Sequence, residues 1–225
     1  MNKEHSLQKA SKARAQSINS IKYTDEPAER IKKDMDVELD LITVDWENLI
    51  PPPPANDSDS TKIDLQILER KTKNLTEEER SLVVLVDEDA FQLFSDYCKK
   101  NNLYYPEDLI RKVHKQTNAV ILKLKYKFGR ARPYQLAPEL GYVISTLQTD
   151  THHTPSYPSG HQHNGAITAE ILSDIYPEHK TQWYKFAGMC GEARVLQGVH
   201  YPSDNEASMI VCRLLWENIK ENLKE

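Results

Sequence analysis

Two histidines and one aspartate form the part of the sequence best suited to covalent chemistry. His200 precedes Asp204 by four residues across a predicted turn. The carboxylate can therefore accept a hydrogen bond from one ring nitrogen, which leaves a lone pair on the other. His161 has the side chain that most often donates a proton near neutral pH. We expect His200 to be the nucleophile, Asp204 to orient it, and His161 to be the general acid for the leaving group.

A group of basic residues and a predicted helix start indicate what this nucleophile attacks. Lys125, Arg132 and Arg194 lie close to glycine-containing turns, and guanidinium groups suit bidentate contact with phosphate. Ser159 and Gly160 precede a predicted helix, whose first N–H groups are free to bind an anion. These features predict a site for a tetrahedral oxyanion, with a phosphohistidine intermediate on His200 that water later hydrolyses.

The elements that must position these residues are helices. Apolar residues at helical spacing predict a long helix that starts near Pro106 and is bounded by Pro133, and a last helix that opens at Pro202. Thr76 and Glu79 have the spacing of a capping box. Convincing strands of period two are absent from the sequence, so an all-α helical bundle is predicted. Further helices are predicted over residues 87–100, 159–175 and 182–196.

Composition narrows the class of protein. The chain has 225 residues, with 29 Lys and Arg against 34 Asp and Glu and a formal net charge of −5. This balance argues against a partner such as nucleic acid or an anionic membrane. No apolar run approaches the roughly 18 residues that a membrane span needs, and no secretory signal is visible. The three cysteines are predicted to be buried free thiols, and the expected setting is soluble and cytoplasmic.

The first part of the chain differs from the rest. Residues 1–45 are polar and are predicted to form an N-terminal arm of unknown role, whereas residues 46–225 are predicted to form the helical domain. The run Pro51-Pro52-Pro53-Pro54 must be extended, because each ring fixes φ and disfavours helix in the residue before it. From the residues alone, this run has the pattern of a linker.

Three motifs together resemble a known family. Lys125-x6-Arg132-Pro, Pro-Ser159-Gly-His and Arg194-x5-His200-x3-Asp are similar to the signature of the type 2 phosphatidic acid phosphatase superfamily. That superfamily includes the bacterial class A non-specific acid phosphatases and the vanadium haloperoxidases. The resemblance implies the all-α bundle of these enzymes, frequently assembled into a homodimer. It also implies the same catalytic roles for His200, His161 and Asp204, with phosphate bound by Lys125, Arg132, Ser159, Gly160 and Arg194.

A second match favours the class A acid phosphatases. Residues 49–55, which contain the proline run, and residues 87–91 are similar to the N-terminal part of these enzymes. The resemblance implies that the proline run packs on the helical core rather than linking two units. Two residues depart from the family pattern: Ala193 stands where Ser is usual, and Tyr134 where Phe is usual.

Several functions fit these observations. The first is a metal-independent phosphomonoesterase that acts on a small phosphorylated substrate, needs no cofactor and is inhibited by vanadate. The same pocket could instead hold vanadate as the cofactor of a haloperoxidase, or bind phosphate in a scaffold protein with a degenerate site. The cluster of His152, His153, His161 and His163 is predicted not to bind zinc, with His152 and His153 in a loop over the pocket. Lys127 and Arg130 are expected to be exposed.

Overall fold

The computed structural model describes residues 3–147, 149 and 151–223. This part of the chain is helical and contains no strand, apart from an isolated bridge between Lys22 and Arg130. The predicted all-α class is confirmed. The α-helices are α1 (Lys3–Asn19), α2 (Glu29–Met35), α3 (Asp59–Thr72), α4 (Glu77–Glu88), α5 (Gln92–Lys100), α6 (Glu107–Phe128), α7 (Pro133–Leu136), α8 (Gly160–Ile175), α9 (Lys180–Leu196) and α10 (Pro202–Asn222).

Helix α8 lies at the centre of the bundle and packs against α6, α9 and α10. Its contact with α9 is close because the facing positions are small. A Cβ at Gly165 would lie only 2.9 Å from the side chain of Cys190. On its other side, α8 shares an apolar core with α6 and α10, to which Val120, Ile167 and Val211 contribute fully buried side chains. Burial of this core fixes the ends of the three helices relative to one another.

A second core joins α4 and α5 to α9 around Phe94 and Trp183. The sequence predicted one helix over residues 87–100, and this is wrong, because α4 ends at Glu88 and α5 begins at Gln92. Asp89 takes an extended conformation, and its carboxylate accepts a hydrogen bond from the Phe91 backbone N–H at 2.8 Å. Such a local turn competes with helix continuation.

Helix ends follow the predicted signals. Thr76 and Glu79 form the capping box at the start of α4, and Pro202 is the first residue of α10. Gly129 ends α6 in the left-handed region at φ 61°, a conformation that glycine adopts without steric cost. The chain therefore turns sharply one residue after the last turn of α6, which contains Lys125.

The N-terminal part of the chain is in contact with the bundle. Helix α2 packs against α6, and Leu41 and Ile42 are buried in the core shared by α6, α8 and α10. The division between residues 45 and 46 remains a prediction, and the structure places these two apolar residues of the proposed arm inside the main core. Ile50 is also buried there, and the Tyr157 hydroxyl donates to the Pro51 carbonyl at 2.9 Å.

The three cysteines are buried and unpaired, as predicted. Within the described ranges, none of the helices combines the length and apolar character that crossing a bilayer requires.

Candidate active site

Residues from three distant parts of the sequence line one cavity of about 170 Å³. Lys125 comes from the last turn of α6, Gly160 and His161 from the first turn of α8, and His200 from the turn between α9 and α10. Arg132, which precedes α7, lies on the same cavity. The remaining lining residues are Arg30, Ile31, Asp34, Asn118, Ile121, Leu122, Thr151, Thr154 and Asn164.

His200 is buried and held by Asp204. Its Nδ1 lies 2.9 Å from Asp204 Oδ2, an arrangement in which Nδ1–H donates to the carboxylate and Nε2 keeps its lone pair. Burial and the charge of Arg132 lower the pKa of His200 well below its usual value, against the opposing effect of Asp204. His200 is therefore neutral near pH 7, with Nε2 available as a nucleophile.

Asp204 is saturated with hydrogen bonds. Besides His200, its carboxylate accepts from the Tyr201 backbone N–H at 3.0 Å, from the Ser156 hydroxyl and from Arg130 Nη1 at 2.6 Å. Burial opposes the charge, but Arg130 and the His200 hydrogen bond outweigh it and hold the pKa of Asp204 below its usual value. The carboxylate thus remains ionised and cannot rotate away from the imidazole.

Arg130 was expected to be exposed, and this prediction is wrong. Its side chain is 1% exposed and lies between Asp204 and Asp64, with its guanidinium carbon 3.8 Å from the centre of the Tyr201 ring. The bidentate geometry of a guanidinium suits such a buried, stacked position. Lys127, two residues after Lys125, is exposed as expected.

Arg132 is buried and faces the nucleophile directly. Its Nη1 lies 2.9 Å from His200 Nε2, and it also donates to the carbonyls of Thr154 and Val199, each at 2.8 Å. Burial and the nearby charge of Arg194 lower the pKa of Arg132 to about 10. A guanidinium fixed in this way places a positive charge beside Nε2, the atom with which His200 would attack.

Lys125 adds a second cation at the cavity wall. Its ammonium donates to the carbonyls of Pro155 at 2.6 Å and Ser156 at 3.3 Å, and the side chain is buried. Burial and the charge of Arg132 lower the pKa of Lys125 well below its usual value. An anion in the cavity would offset this repulsion between cations.

Arg194 is not among the residues that line the cavity. It is buried, and its Nη1 pairs with Asp87, whose carboxylate also accepts from Thr149. Within the described ranges, Nε and Nη2 of Arg194 have no hydrogen-bond partner. Burial of Asp87 opposes its ionisation, but hydrogen bonds from Thr151 and Arg194 lower its pKa. Buried guanidinium N–H groups without a partner are costly, which is consistent with a site that accepts an anion.

His161 follows the cap of α8. The buried Ser159 hydroxyl accepts from the Gln162 backbone N–H at 3.4 Å, so the N–H groups of Gly160 and His161, in the first turn, have no partner within the helix. Burial and the positive charges of Arg194 and Lys125 hold the pKa of His161 well below its usual value.

The other histidines have separate positions. His163 lies between α6 and α10, with its ring nitrogens 2.8 Å from the Thr117 hydroxyl and 2.7 Å from Cys212 Sγ. His152 is buried against the rings of Tyr134 and His153 and is not among the cavity-lining residues. Burial and the charge of Arg132 lower its pKa to about 4.

The sequence does not indicate which residues form ion pairs with Arg194 and Asp204. Asp87 pairs with Arg194, and Arg130 pairs with Asp204. Asp87 lies within the segment 87–91 that resembles the class A acid phosphatases, but it belongs to none of the three phosphatase motifs. Arg130, adjacent to the turn residue Gly129, gave no sign of burial. Ala193, which stands where the family pattern has Ser, is fully buried in the core around Trp183.

The segment that carries most of the site residues is similar to known proteins. Residues 116–218 match the model of the PAP2 superfamily. This segment contains Lys125, His161 and His200 together with the helices that position them. The matched segment covers 103 of the 225 residues. It includes α8, α9 and most of α6 and α10.

Two curated proteins that are similar to this chain are non-specific acid phosphatases. The protein from Providencia stuartii is 35% identical over 91 residues, which cover 39% of this chain and 35% of the relative. The protein from Salmonella typhimurium is 32% identical over 91 residues, which cover 39% of this chain and 34% of the relative. The matched segment thus spans about a third of the length of each relative.

Among solved structures, the chain is similar to a bacterial vanadium-dependent chloroperoxidase in its holo form. The TM-score is 0.58 at 14% sequence identity, covering 92% of this chain and 60% of the other. At this identity the likeness concerns the fold, and it confirms the helical architecture that the motifs implied.

Proposed function

We propose that this protein is a phosphomonoesterase that releases inorganic phosphate from a small phosphorylated substrate through a phosphohistidine on His200. The observation that carries the proposal is the position of His200 Nε2. It faces a cavity shared with Lys125, Arg132 and His161, while Asp204 accepts from the opposite ring nitrogen. The acid phosphatase relatives support the same reaction class.

Substrate binding would neutralise the cationic cavity. The phosphate oxygens would accept hydrogen bonds from Lys125, from Arg132 and from the first turn of α8, all of which line the cavity. For Arg194, which does not line it, we keep the phosphate-binding role that the resemblance implies, with its N–H groups that lack a partner as the donors. The bond from Arg132 to His200 Nε2 would pass to a phosphate oxygen, which frees the lone pair. Because the donors are already in place, charge that develops on the transferring group is stabilised with little reorganisation.

The first chemical step forms a bond between His200 Nε2 and phosphorus and breaks the bond from phosphorus to the ester oxygen. His161 gives its proton to the departing oxygen, so that the leaving group departs as an alcohol. A bound phosphate dianion favours the charged form of His161, which offsets the effect of Lys125 and Arg194 on its pKa. Asp204 stabilises the positive charge that forms on His200.

The second step returns the enzyme to its starting state. Water attacks phosphorus and gives a proton to the now neutral His161, while the bond between phosphorus and Nε2 breaks. Inorganic phosphate leaves, and His161 carries the proton for the next cycle. Fixed cations supply the charge that a metal ion supplies in other phosphatases, so the proposal includes metal independence.

Hydrolysis of para-nitrophenyl phosphate in the presence of a chelator tests the proposal. We expect turnover below neutral pH, inhibition by vanadate, and loss of activity in His200→Ala. His179→Ala is the matched control, because His179 lies in the short turn at Pro177–His179 rather than on the cavity, and it should retain activity. Absence of wild-type turnover, or equal activity in His200→Ala, would contradict the proposal. Halogenation with vanadate, peroxide and bromide would instead support the haloperoxidase alternative.

A further inference from the structure

The N-terminal arm supplies part of the cavity. Helix α2 packs against α6, and Arg30, Ile31 and Asp34 of α2 line the same cavity as His161 and His200. Arg30 and Asp34 carry opposite charges. These two lining residues therefore add hydrogen-bonding groups to the site, and their charges cancel.

Two asparagines extend this polar lining. Asn118 lies on α6, seven residues before Lys125, and Asn164 lies on α8, three residues after His161; these spacings place each pair on one helix face. Asn164 Oδ1 lies 2.8 Å from His114 Nε2. The Asn164 amide oxygen accepts this hydrogen bond from the His114 N–H. The amide NH₂ of Asn164 therefore remains available as a donor.

Asp34 and Asn118 also keep hydrogen-bonding capacity. Both side chains are partly buried, and neither has a side-chain hydrogen bond or an ion pair with any other residue that the structure describes. Asp34 is close enough to His114 to raise its pKa, although burial dominates and lowers it. Asp34 thus brings a hydrogen-bond acceptor to the cavity that holds the reacting groups. Asn118 brings an amide that can both donate and accept, and Asn164 brings a donor.

The rest of the lining limits which leaving groups fit. Among the described residues that line the cavity, the imidazoles of His161 and His200 are the only aromatic rings. The volume of about 170 Å³ is well below the ~300–1,000 Å³ of sites that enclose drug-sized ligands. An aryl or nucleobase group would find no stacking partner in such a cavity, whereas a short leaving group with several hydroxyls would meet donors and acceptors on α2, α6 and α8.

We propose that Asp34, Asn118 and Asn164 form a hydroxyl-binding rim that makes the enzyme selective for monophosphates of small polyhydroxylated compounds, such as glycerol or a sugar. This inference rests on the proposed function, since the rim would act on the leaving group of that reaction. The three residues are specificity determinants for the leaving group, and the N-terminal arm completes the substrate site.

The test compares kcat/KM for glycerol phosphate and glucose 6-phosphate with that for para-nitrophenyl phosphate. We expect Asp34→Asn and Asn118→Leu each to lower the ratio of polyol to aryl kcat/KM about tenfold, as for the loss of one hydrogen bond. Asp36→Asn removes the same charge from the end of the same helix, outside the cavity lining, and should leave the ratio unchanged.

Equal losses on both substrate types, or the same change of ratio in Asp36→Asn, would overturn the inference while the proposed function stands. Absence of wild-type turnover on every substrate would contradict the proposed function itself. Circular dichroism of each variant separates a change in specificity from loss of folding. The circular dichroism spectrum of Asn118→Leu matters most, because Asn118 lies within the long helix α6.

Discussion

At the scale of single residues, the buried aspartate of the site depends on its cation. Asp204 is ionised although it is fully buried, and Arg130 at 2.6 Å is the strongest influence that keeps its pKa low. Asp64 lies 3.7 Å from the same guanidinium. Removal of Arg130 would leave two buried carboxylates without their shared partner, and the orientation of His200 depends on one of them.

We therefore expect Arg130→Met to lower both stability and activity. Breaking a buried pair from one side costs about 3–5 kcal/mol, and urea denaturation of the variant would measure this loss in the free energy of unfolding. Lys127→Met is the control, since an exposed lysine contributes within about 0.5 kcal/mol. A stability of Arg130→Met equal to that of wild type would show that the pair does not hold Asp204.

The contact between His200 and Asp204 could be predicted from the sequence because the two residues lie one helical turn apart at a helix start. His200 and Asp204 meet as expected, with Nδ1 and Oδ2 2.9 Å apart. The partners of Arg130 and Arg194 could not be predicted, because Asp64 and Asp87 lie on other helices and only the packing of α3 and α4 brings them near.

At the scale of elements, short turns set the position of His200. Gly198 takes φ +80°, and a Cβ added there would lie 2.9 Å from Ile144 Cγ2 and 3.1 Å from the Ser145 carbonyl oxygen. The turn therefore requires glycine both for its conformation and for the close approach of the segment before α8. His200 follows two residues later, in the turn that precedes α10.

Gly198→Ala should consequently destabilise the protein and reduce kcat. The left-handed conformation alone costs about 1–2 kcal/mol for a residue with a Cβ, and the displaced turn would move His200 Nε2. Gly188→Ala provides the comparison, because a Cβ at that helical position meets no atom within 4 Å and should raise stability by about 0.5–1 kcal/mol. If thermal melting shows both variants to be equally stable, the turn is not under this constraint.

Long helices and their caps could be predicted at this scale, since apolar periodicity, Pro202 and the Thr76–Glu79 pair mark them. The break between α4 and α5 could not be predicted, because the helical spacing of apolar residues continues through Phe91 and Phe94. The local hydrogen bond from the Phe91 N–H to Asp89 decides the outcome.

At the scale of the whole molecule, buried histidines link stability to pH. Burial lowers the pKa of His114 and His163, as it does for His161 and His200. In the unfolded chain these rings titrate near 6.5. As the pH falls through that value, the unfolded state takes up protons that the folded state does not, so acid favours unfolding.

The free energy of unfolding should therefore fall between about pH 7.5 and about pH 5.5, measured by urea denaturation at each pH. Phosphate should restore part of it at the lower pH, because an anion in the cavity favours protonation of the histidines that line it. Stability that rises as the pH falls over this range would contradict the burial of neutral rings.

The fold class and the convergence of three segments could be predicted from the sequence, because the motifs lie at helix ends and the core is formed by long amphipathic helices. The position of α2 over the cavity could not be predicted from the sequence. Its seven residues are mostly charged, and only their packing against α6 shows which face of the site they cover.

Rapid quenching of the reaction shows whether His200 carries the phosphoryl group. Wild-type protein mixed with para-nitrophenyl phosphate and stopped in base, where phosphohistidine survives, would be digested and analysed by mass spectrometry. We expect one phosphoryl group on the peptide that contains His200, and none on the corresponding peptide of His200→Ala. Turnover without this adduct, or an adduct on a different residue, would contradict this expectation.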